Sequence, residues 1–115
     1  MQTRINVPFP PSTNSLFANR KGGRRKTDTY LLWLANAEEM LLRQHRNYHT
    51  GKVAVNIFVK KPDNRRRDLD NLAKSVLDFL VKQSIIVDDS KIMILHMAWS
   101  ENMGNDAYVI IDDIR

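Results

Sequence analysis

The chain has 115 residues, 43% of them hydrophobic and 27% charged, the balance of a single globular domain rather than a disordered polymer. It contains no cysteine, which excludes disulfide scaffolds, thiolate zinc sites and cysteine nucleophiles. The longest apolar run, Tyr30 to Ala35, is six residues, far short of the ~20 that cross a bilayer, and Met1-Gln2-Thr3-Arg4 leads into no signal-peptide core, so a soluble cytoplasmic protein with no membrane partner is expected.

Arg4 to Val7 alternates and predicts a short first strand. Pro8-Phe9-Pro10-Pro11-Ser12 stops it, because proline donates no ladder hydrogen bond and restricts the residue before it. Residues 11–26 are polar, basic and glycine-bearing, and predict a mobile loop. Gly22-Gly23 lacks the spacing of a phosphate-binding P-loop. Thr27 or Asp28 caps a helix with apolar positions Leu31, Leu34, Ala35, Leu41 and Leu42, predicted to run to about Tyr48 with Gly51 as terminator. Lys52 to Lys60 alternates strictly and predicts a strand with Val53, Val55, Ile57 and Val59 on one side.

Leu69, Leu72, Ala73, Val76, Leu77, Leu80 and Val81 recur at helical spacing, the cleanest amphipathic pattern in the chain. Ile85-Ile86-Val87 predicts a short buried strand and Asp88-Asp89-Ser90 a turn. Ile92 to Trp99 and Ala107 to Ile114 predict two more strands, joined as a hairpin through Glu101-Asn102-Met103-Gly104-Asn105. The order β-α-β-α-β-β-β predicts one α+β domain over residues 1–115, a mixed sheet of about four to five strands with two main helices.

The net charge of +5 hides an asymmetry: residues 1–67 carry a net +10 and residues 68–115 a net −5. The cations cluster at Arg20, Lys21, Arg24, Arg25 and Lys26, and again at Lys60, Lys61, Arg65, Arg66 and Arg67. Two dense basic clusters in so small a domain point to a polyanion, with nucleic acid first, over solvated loops that merely keep the protein soluble.

The chemically dense stretch is Arg65-Arg66-Arg67-Asp68-Leu69-Asp70-Asn71-Leu72-Ala73-Lys74. Each acid has an ordinary structural reading: Asp68 as N-cap, Asp70 in the first turn where it suits the helix dipole and pairs with Lys74 at i,i+4 for about 0.3–0.5 kcal/mol, Asp88-Asp89 as turn residues. Reach argues that they belong together. From Asp70 to Gln83 a helix climbs roughly 20 Å, and an extended return to Asp89 covers about the same distance. Carboxylates so gathered repel by on the order of 4 kcal/mol per pair at 4 Å and an effective dielectric of 20, which protonation or a cation must relieve. All-oxygen ligands favour magnesium or manganese. Such an ion beside a basic surface is equipment for phosphodiester hydrolysis. Lys74 would face the same site, to orient water, stabilise developing charge or assist the leaving group.

These residues resemble the RusA family of Holliday-junction resolvases, small magnesium-dependent endodeoxyribonucleases. Pro10-Pro11-Ser12-Thr13-Asn14 is similar to the family's P-P-S-x-N segment, and Arg66-Arg67-Asp68-Leu69-Asp70-Asn71-Leu72 to its R-R-D-x-D-N-L core. Lys74 and Asp88-Asp89 match the family lysine and the acidic pair after the helix. The resemblance implies that Asp68, Asp70 and Asp89 are the metal-binding catalytic carboxylates, with Asp88 as a further ligand or support, and Lys74 as the essential lysine. It implies Mg²⁺, with Mn²⁺ as substitute, and a homodimer that places paired nicks across a four-way junction. A two-fold dimer suits a two-fold substrate, with residues 53–59 or 92–99 as interface. Arg20, Lys21, Arg24, Arg25, Lys26, Lys61, Arg65, Arg66 and Arg67 are then the DNA-binding set. The segment around 18–27 departs most from the family pattern. The alternatives are a non-catalytic DNA-binding dimer, against which the acids speak because they repel phosphate, and a general magnesium-dependent nuclease on branched DNA.

His45 and His49 stand at i,i+4 without an evident third ligand, which argues against zinc. His96 reads as hydrogen-bonded strand structure, Trp33 and Trp99 as core, and Met93 and Met97 as packing. Phe9, Phe17 and Tyr30 flank basic residues and are candidates to stack or wedge at an opened junction.

Overall fold

The computed structural model describes residues 1–101 and 104–115. In chain order the elements are β1 (Gln2–Val7), β2 (Phe17–Arg20), β3 (Gly23–Lys26), α1 (Asp28–Leu41), β4 (Val53–Val59), α2 (Ala73–Lys82), β5 (Ile92–Trp99) and β6 (Ala107–Asp113), with short 3-10 turns at Thr13–Ser15, Leu69–Leu72 and Asp89–Lys91. The main sheet runs β1-β6-β4-β5, and β2 and β3 form a separate two-stranded ribbon. β6 is antiparallel to both β1 and β4, whereas β5 is parallel to β4. The result is one α+β domain with a mixed sheet and two helices.

One sheet face makes the core. Thr3, Ile5 and Val7 of β1, Val53, Val55, Ile57 and Val59 of β4, and Ala107, Val109 and Ile111 of β6 are all buried, as their period-two alternation requires. The helices cover this face with Trp33, Leu34, Ala37, Leu72, Val76, Phe79 and Leu80. Trp33 meets Phe79 edge-on at 5.5 Å and ties α1 to α2. The strand at 53–59 is therefore hydrogen-bonded on both edges and buried on its apolar side, so of the two expected interface candidates only 92–99 lies at a sheet edge.

Four expectations are corrected. The expected loop at 11–26 holds the β2–β3 ribbon, because Lys21-Gly22 can close a two-residue turn with Gly22 and Gly23 at φ of 90° and 122°. Thr27 does cap α1, its Oγ1 accepting from Tyr30 N. The helix ends at Leu41 rather than near Tyr48, because Gln44 turns to bond both backbone groups of Asn6 and the Asn47 N–H donates to Thr3 Oγ1. Ile85–Val87 is no strand: Ser84 at φ 58° turns the chain, Ile85 and Ile86 bond back to Leu80 O, and only Ile86 bridges, to His49. Finally, β5 and β6 are not a hairpin, since β4 lies between them. The α2 crossover places β5 parallel on one edge of β4, and β6 takes the antiparallel slot on the other. Of the expected hairpin turn, Asn102 and Met103 lie outside the described residues.

The register defines two ends. Val7, Ala107, Val59 and Trp99 form a row at one end, and Ile92 stands opposite Val53 at the other. The turn before α2 sits at the first end, tied to the segment that leaves β1: Thr13 Oγ1 donates to Asn71 O at 3.0 Å and Ser75 Oγ to Pro11 O at 3.4 Å. α2 then descends to the second end, where His49 N donates to Ile85 O at 2.8 Å.

Candidate active site

The Pro10-to-Asn14 segment acts as a clamp at the first end. Through Thr13 it holds the Asn71 carbonyl of the 3-10 turn Leu69–Leu72, and through Pro11 O the Ser75 hydroxyl of α2, and so braces the backbone that carries Asp68 and Asp70. Asp68 stands at the head of this turn with extended backbone (φ −91°, ψ 118°), but its side chain makes no capping bond. Asp68 and Asp70 are both exposed. Asp68 lines an open cleft of about 590 Å³ together with Phe9, Pro11, Ser12, Ser15, Trp33, Asn71 and the three arginines Arg65, Arg66 and Arg67.

The arginines divide into two kinds. Asp63 accepts from Arg65 Nε at 3.2 Å and from Arg67 Nη2 at 3.1 Å. The Arg67 hydrogen bond, helped by the Arg65 backbone N–H, holds the Asp63 carboxyl well below the usual range and raises the Arg67 guanidinium in turn. Arg67 also lies 5.4 Å from the Phe9 ring centroid. Arg66 has no carboxylate within salt-bridge distance among the described residues and is exposed, so it is the arginine most available to an external phosphate. Lys61 lies 5.3 Å above the Trp99 ring. Asp63 was missed by sequence reasoning, where Pro62-Asp63-Asn64 reads only as a strand terminator. Its i,i+4 spacing to Arg67 was the available signal.

Lys74 pairs with Asp78 at 3.2 Å, not with Asp70. Asp70 belongs to the 3-10 turn, whose three residues per turn carry its side chain off the helical i,i+4 line to Lys74. Both members of the observed pair lie inside α2, one turn apart.

Asp88 and Asp89 stand at the second end. The Asp88 carboxylate accepts from the hydroxyl and the backbone N–H of Ser90, and these bonds lower its pKa. Asp89 begins the turn into β5 and is exposed. The expected extended return past α2 does not exist, so β4, seven residues or roughly 20 Å long, separates the level of Asp88-Asp89 from that of Asp68-Asp70. Among the described residues no three His, Asp or Glu side chains come together as a metal site. The donors are the oxygens a hard cation takes, but one chain alone does not close a cage around it.

The second end carries an apolar edge. Val87, Met93, Ile94 and Leu95 are 40%, 49%, 45% and 43% exposed, which corrects the expectation that Met93 is packed. His96, expected as bonded structure, is exposed on the same strand. His49 is fully buried, its Nε2 2.8 Å from Thr3 Oγ1 and its Nδ1 2.7 Å from Asp113 Oδ1, a structural network that engages both ring nitrogens. Trp33 is buried, its Nε1 donating to Pro8 O at 3.0 Å. Tyr30 is buried too, and so is no base-stacking platform. Phe9 and Phe17 keep half-exposed rings, each beneath an arginine.

The basic residues Arg20, Lys21, Arg24, Arg25 and Lys26 all lie on the β2–β3 ribbon, whose root adjoins the cleft through Ser15. The first end thus combines acidic, cationic and aromatic groups around an open cleft, the make-up of a nucleic-acid-processing α+β domain. The sequence model of the endodeoxyribonuclease RusA family matches residues 8–112. The chain belongs to that family. The crossover junction endodeoxyribonuclease RusA of Escherichia coli strain K12 is 29% identical over 90 residues, covering 77% of this chain and 75% of the relative. The protein of the same name from Enterobacteria phage HK97 is 27% identical over 86 residues, 74% of this chain and 72% of its own. That of Enterobacteria phage 82 is 29% identical over 90 residues, again 77% and 75%. Among the described residues no helix is long and apolar enough to cross a membrane.

Proposed function

We propose that the chain is a divalent-metal-dependent endonuclease that resolves four-way DNA junctions by paired nicks, acting as a homodimer in the cytoplasm. The observation that carries this reading is the placement of Asp68, exposed and without a capping bond, in a cleft that Arg65, Arg66 and Arg67 also line, with the exposed Asp70 two residues further on. Carboxylates there repel phosphate unless a cation intervenes. A binding protein without catalysis has no use for them. The names of the relatives supply the substrate, a crossover junction.

The chain's own residues do the following. Arg66, with Arg65 and Arg67 behind it, grips the backbone without reading sequence. Asp63 holds Arg67 in place. Asp68, Asp70, Asp88 and Asp89 are the oxygen donors for Mg²⁺, or Mn²⁺ in its place. Once bound, that ion supplies Lewis-acid polarisation of the phosphodiester. Lys74 offers an ammonium one turn beyond the Asp70 turn.

The second copy answers the separation of the two acid pairs. β5 is an edge strand with exposed apolar side chains. Antiparallel pairing of two such edges turns one chain's second end towards the other's first end. Asp88-Asp89 of one protomer then approaches Asp68-Asp70 of its partner, twice, in line with a two-fold substrate.

The test is a gel with a labelled four-way junction and a linear duplex of matching sequence, each with Mg²⁺ or with EDTA. Symmetric nicking of the junction alone, only with metal, is the expected result. Metal-independent cutting, or equal cutting of the linear duplex, overturns the reading.

A further inference from the structure

The β2–β3 ribbon has no counterpart in the core. It forms its own two-stranded sheet, and residues 19–26 are exposed throughout. Among the described residues its root is what ties it to the core. Thr27 N donates to Leu16 O at 3.0 Å, and Phe17 meets Tyr30 edge-on at 5.8 Å. An isolated two-stranded hairpin is marginal in water, so its outer half is a segment that a partner can complete.

The ribbon carries Arg20, Lys21, Arg24, Arg25 and Lys26 and no carboxylate. None of these cations has an acidic partner within salt-bridge distance among the described residues. Their distribution is the informative point. Cross-strand partners share a face, and the register pairs Phe17 with Lys26, Ala18 with Arg25, Asn19 with Arg24 and Arg20 with Gly23. Arg24 and Lys26 therefore occupy one face, with the Phe17 and Tyr30 rings 4.7 Å and 6.0 Å beneath them. Arg20 and Arg25 occupy the opposite face, and Lys21 sits at the tip.

A ribbon lying flat in a groove presents one face to the bases and turns the other to solvent. Cations on both faces match phosphates on both sides. A single duplex offers its phosphates to one face of a strand pair roughly 13 Å long. A branch point, where two duplex arms converge, offers them to both. We propose that the ribbon is a wedge seated between two arms of branched DNA, Arg24 and Lys26 gripping one arm and Arg20 and Arg25 the other, and that this double grip makes the chain prefer a junction to a linear duplex. The inference rests on the nuclease reading above and adds the element that selects the substrate.

The test uses the full-length protein in EDTA. Two variants, Arg20→Gln/Arg25→Gln and Arg24→Gln/Lys26→Gln, keep the side-chain stems and remove one face's charge each. Binding to a four-way junction and to a linear duplex is measured across a NaCl series. Each variant is expected to weaken junction binding by roughly tenfold or more and to reduce the slope of log K against log salt by about 2. Duplex binding changes by less than about threefold, because the intact face substitutes for the lost one. Arg20→Lys/Arg25→Lys restores the slope, which separates charge from a folding defect. Sensitivity to only one face, or equal losses on junction and duplex, overturns the wedge in favour of a one-sided patch or groove insertion. Wild-type cleavage in Mg²⁺ is scored separately. A junction preference without cleavage rejects the nuclease reading and leaves the wedge standing, while cleavage with equal losses does the reverse.

Discussion

The two ends of α2 hold acidic pairs in different settings. At the first end Asp68 and Asp70 sit on a turn braced by the Pro10-to-Asn14 clamp, next to arginines and an aromatic-lined cleft. At the second end Asp88 and Asp89 sit on an exposed turn, between a buried histidine network and a bare apolar edge strand. The first end has cationic groups around an open cleft but only two of the four carboxylates. The second has carboxylates and a surface suited to another protein. In the proposed homodimer each end would supply what the other lacks, because a second copy that inverts the chain would bring them together.

Charge removal without loss of shape is the strongest way to break this comparison. Asp70→Asn and Asp89→Asn are each expected to cut junction cleavage by on the order of 10³-fold, while binding in EDTA persists. Co-expression sharpens the point. If each site draws one pair from each protomer, a heterodimer of the two variants contains one fully wild-type site and one doubly altered site. It then nicks one strand of the junction. A co-expressed mixture as inactive as either parent places all the acids of a site in one chain and sinks the two-chain arrangement.

Lys74 comes next. Lys74→Ala is expected to slow cleavage by roughly 10²-fold. The exposed pair with Asp78 contributes only a few tenths of a kcal/mol, so the thermal midpoint hardly moves. A normal cleavage rate in this variant reduces Lys74 to that surface pair.

The sequence showed most where periodicity is strict. β4 alternates without a fault, and α2 carries five of the seven apolar positions that recur at helical spacing from Leu69, so both elements and their buried faces were legible. The limits had physical causes. Leu69–Leu72 has the apolar spacing of a helix but closes as a 3-10 turn, its Asn71 carbonyl held by Thr13 of the clamp, from outside the segment. This moved Asp70 away from Lys74. Ile85–Val87 is β-branched and apolar, yet Ser84 turns the chain so sharply that Ile85 and Ile86 fold back on Leu80. The pairing of β6 with β4 rather than β5 depends on which edge the α2 crossover takes, and no local pattern encodes that. The basic ribbon was visible as charge but not as shape, because four-residue strands of Asn, Arg and Lys carry no apolar alternation.

The smallest expected effect concerns the second end's foundation. His49 is buried between Thr3 and Asp113, and its hydrogen bond is the largest cause of the lowered Asp113 pKa. A carboxylate whose pKa is depressed on folding adds stability that is present above its unfolded value, near 3.9. That contribution is lost as pH falls through the lower folded value. Asp113→Asn should therefore be less resistant to urea than wild type at pH 7 and pH 5. The gap should begin to narrow below about pH 4, where the unfolded chain takes up the proton, and close only once pH has fallen past the lower folded value and wild type gives up what the variant never had. Urea midpoints at pH 7, 5 and 3 make the comparison. A gap unchanged at pH 3 means that Asp113 acts through the neutral hydrogen bond alone. The second end then owes its stability to the burial of His49 and not to the charge beside it.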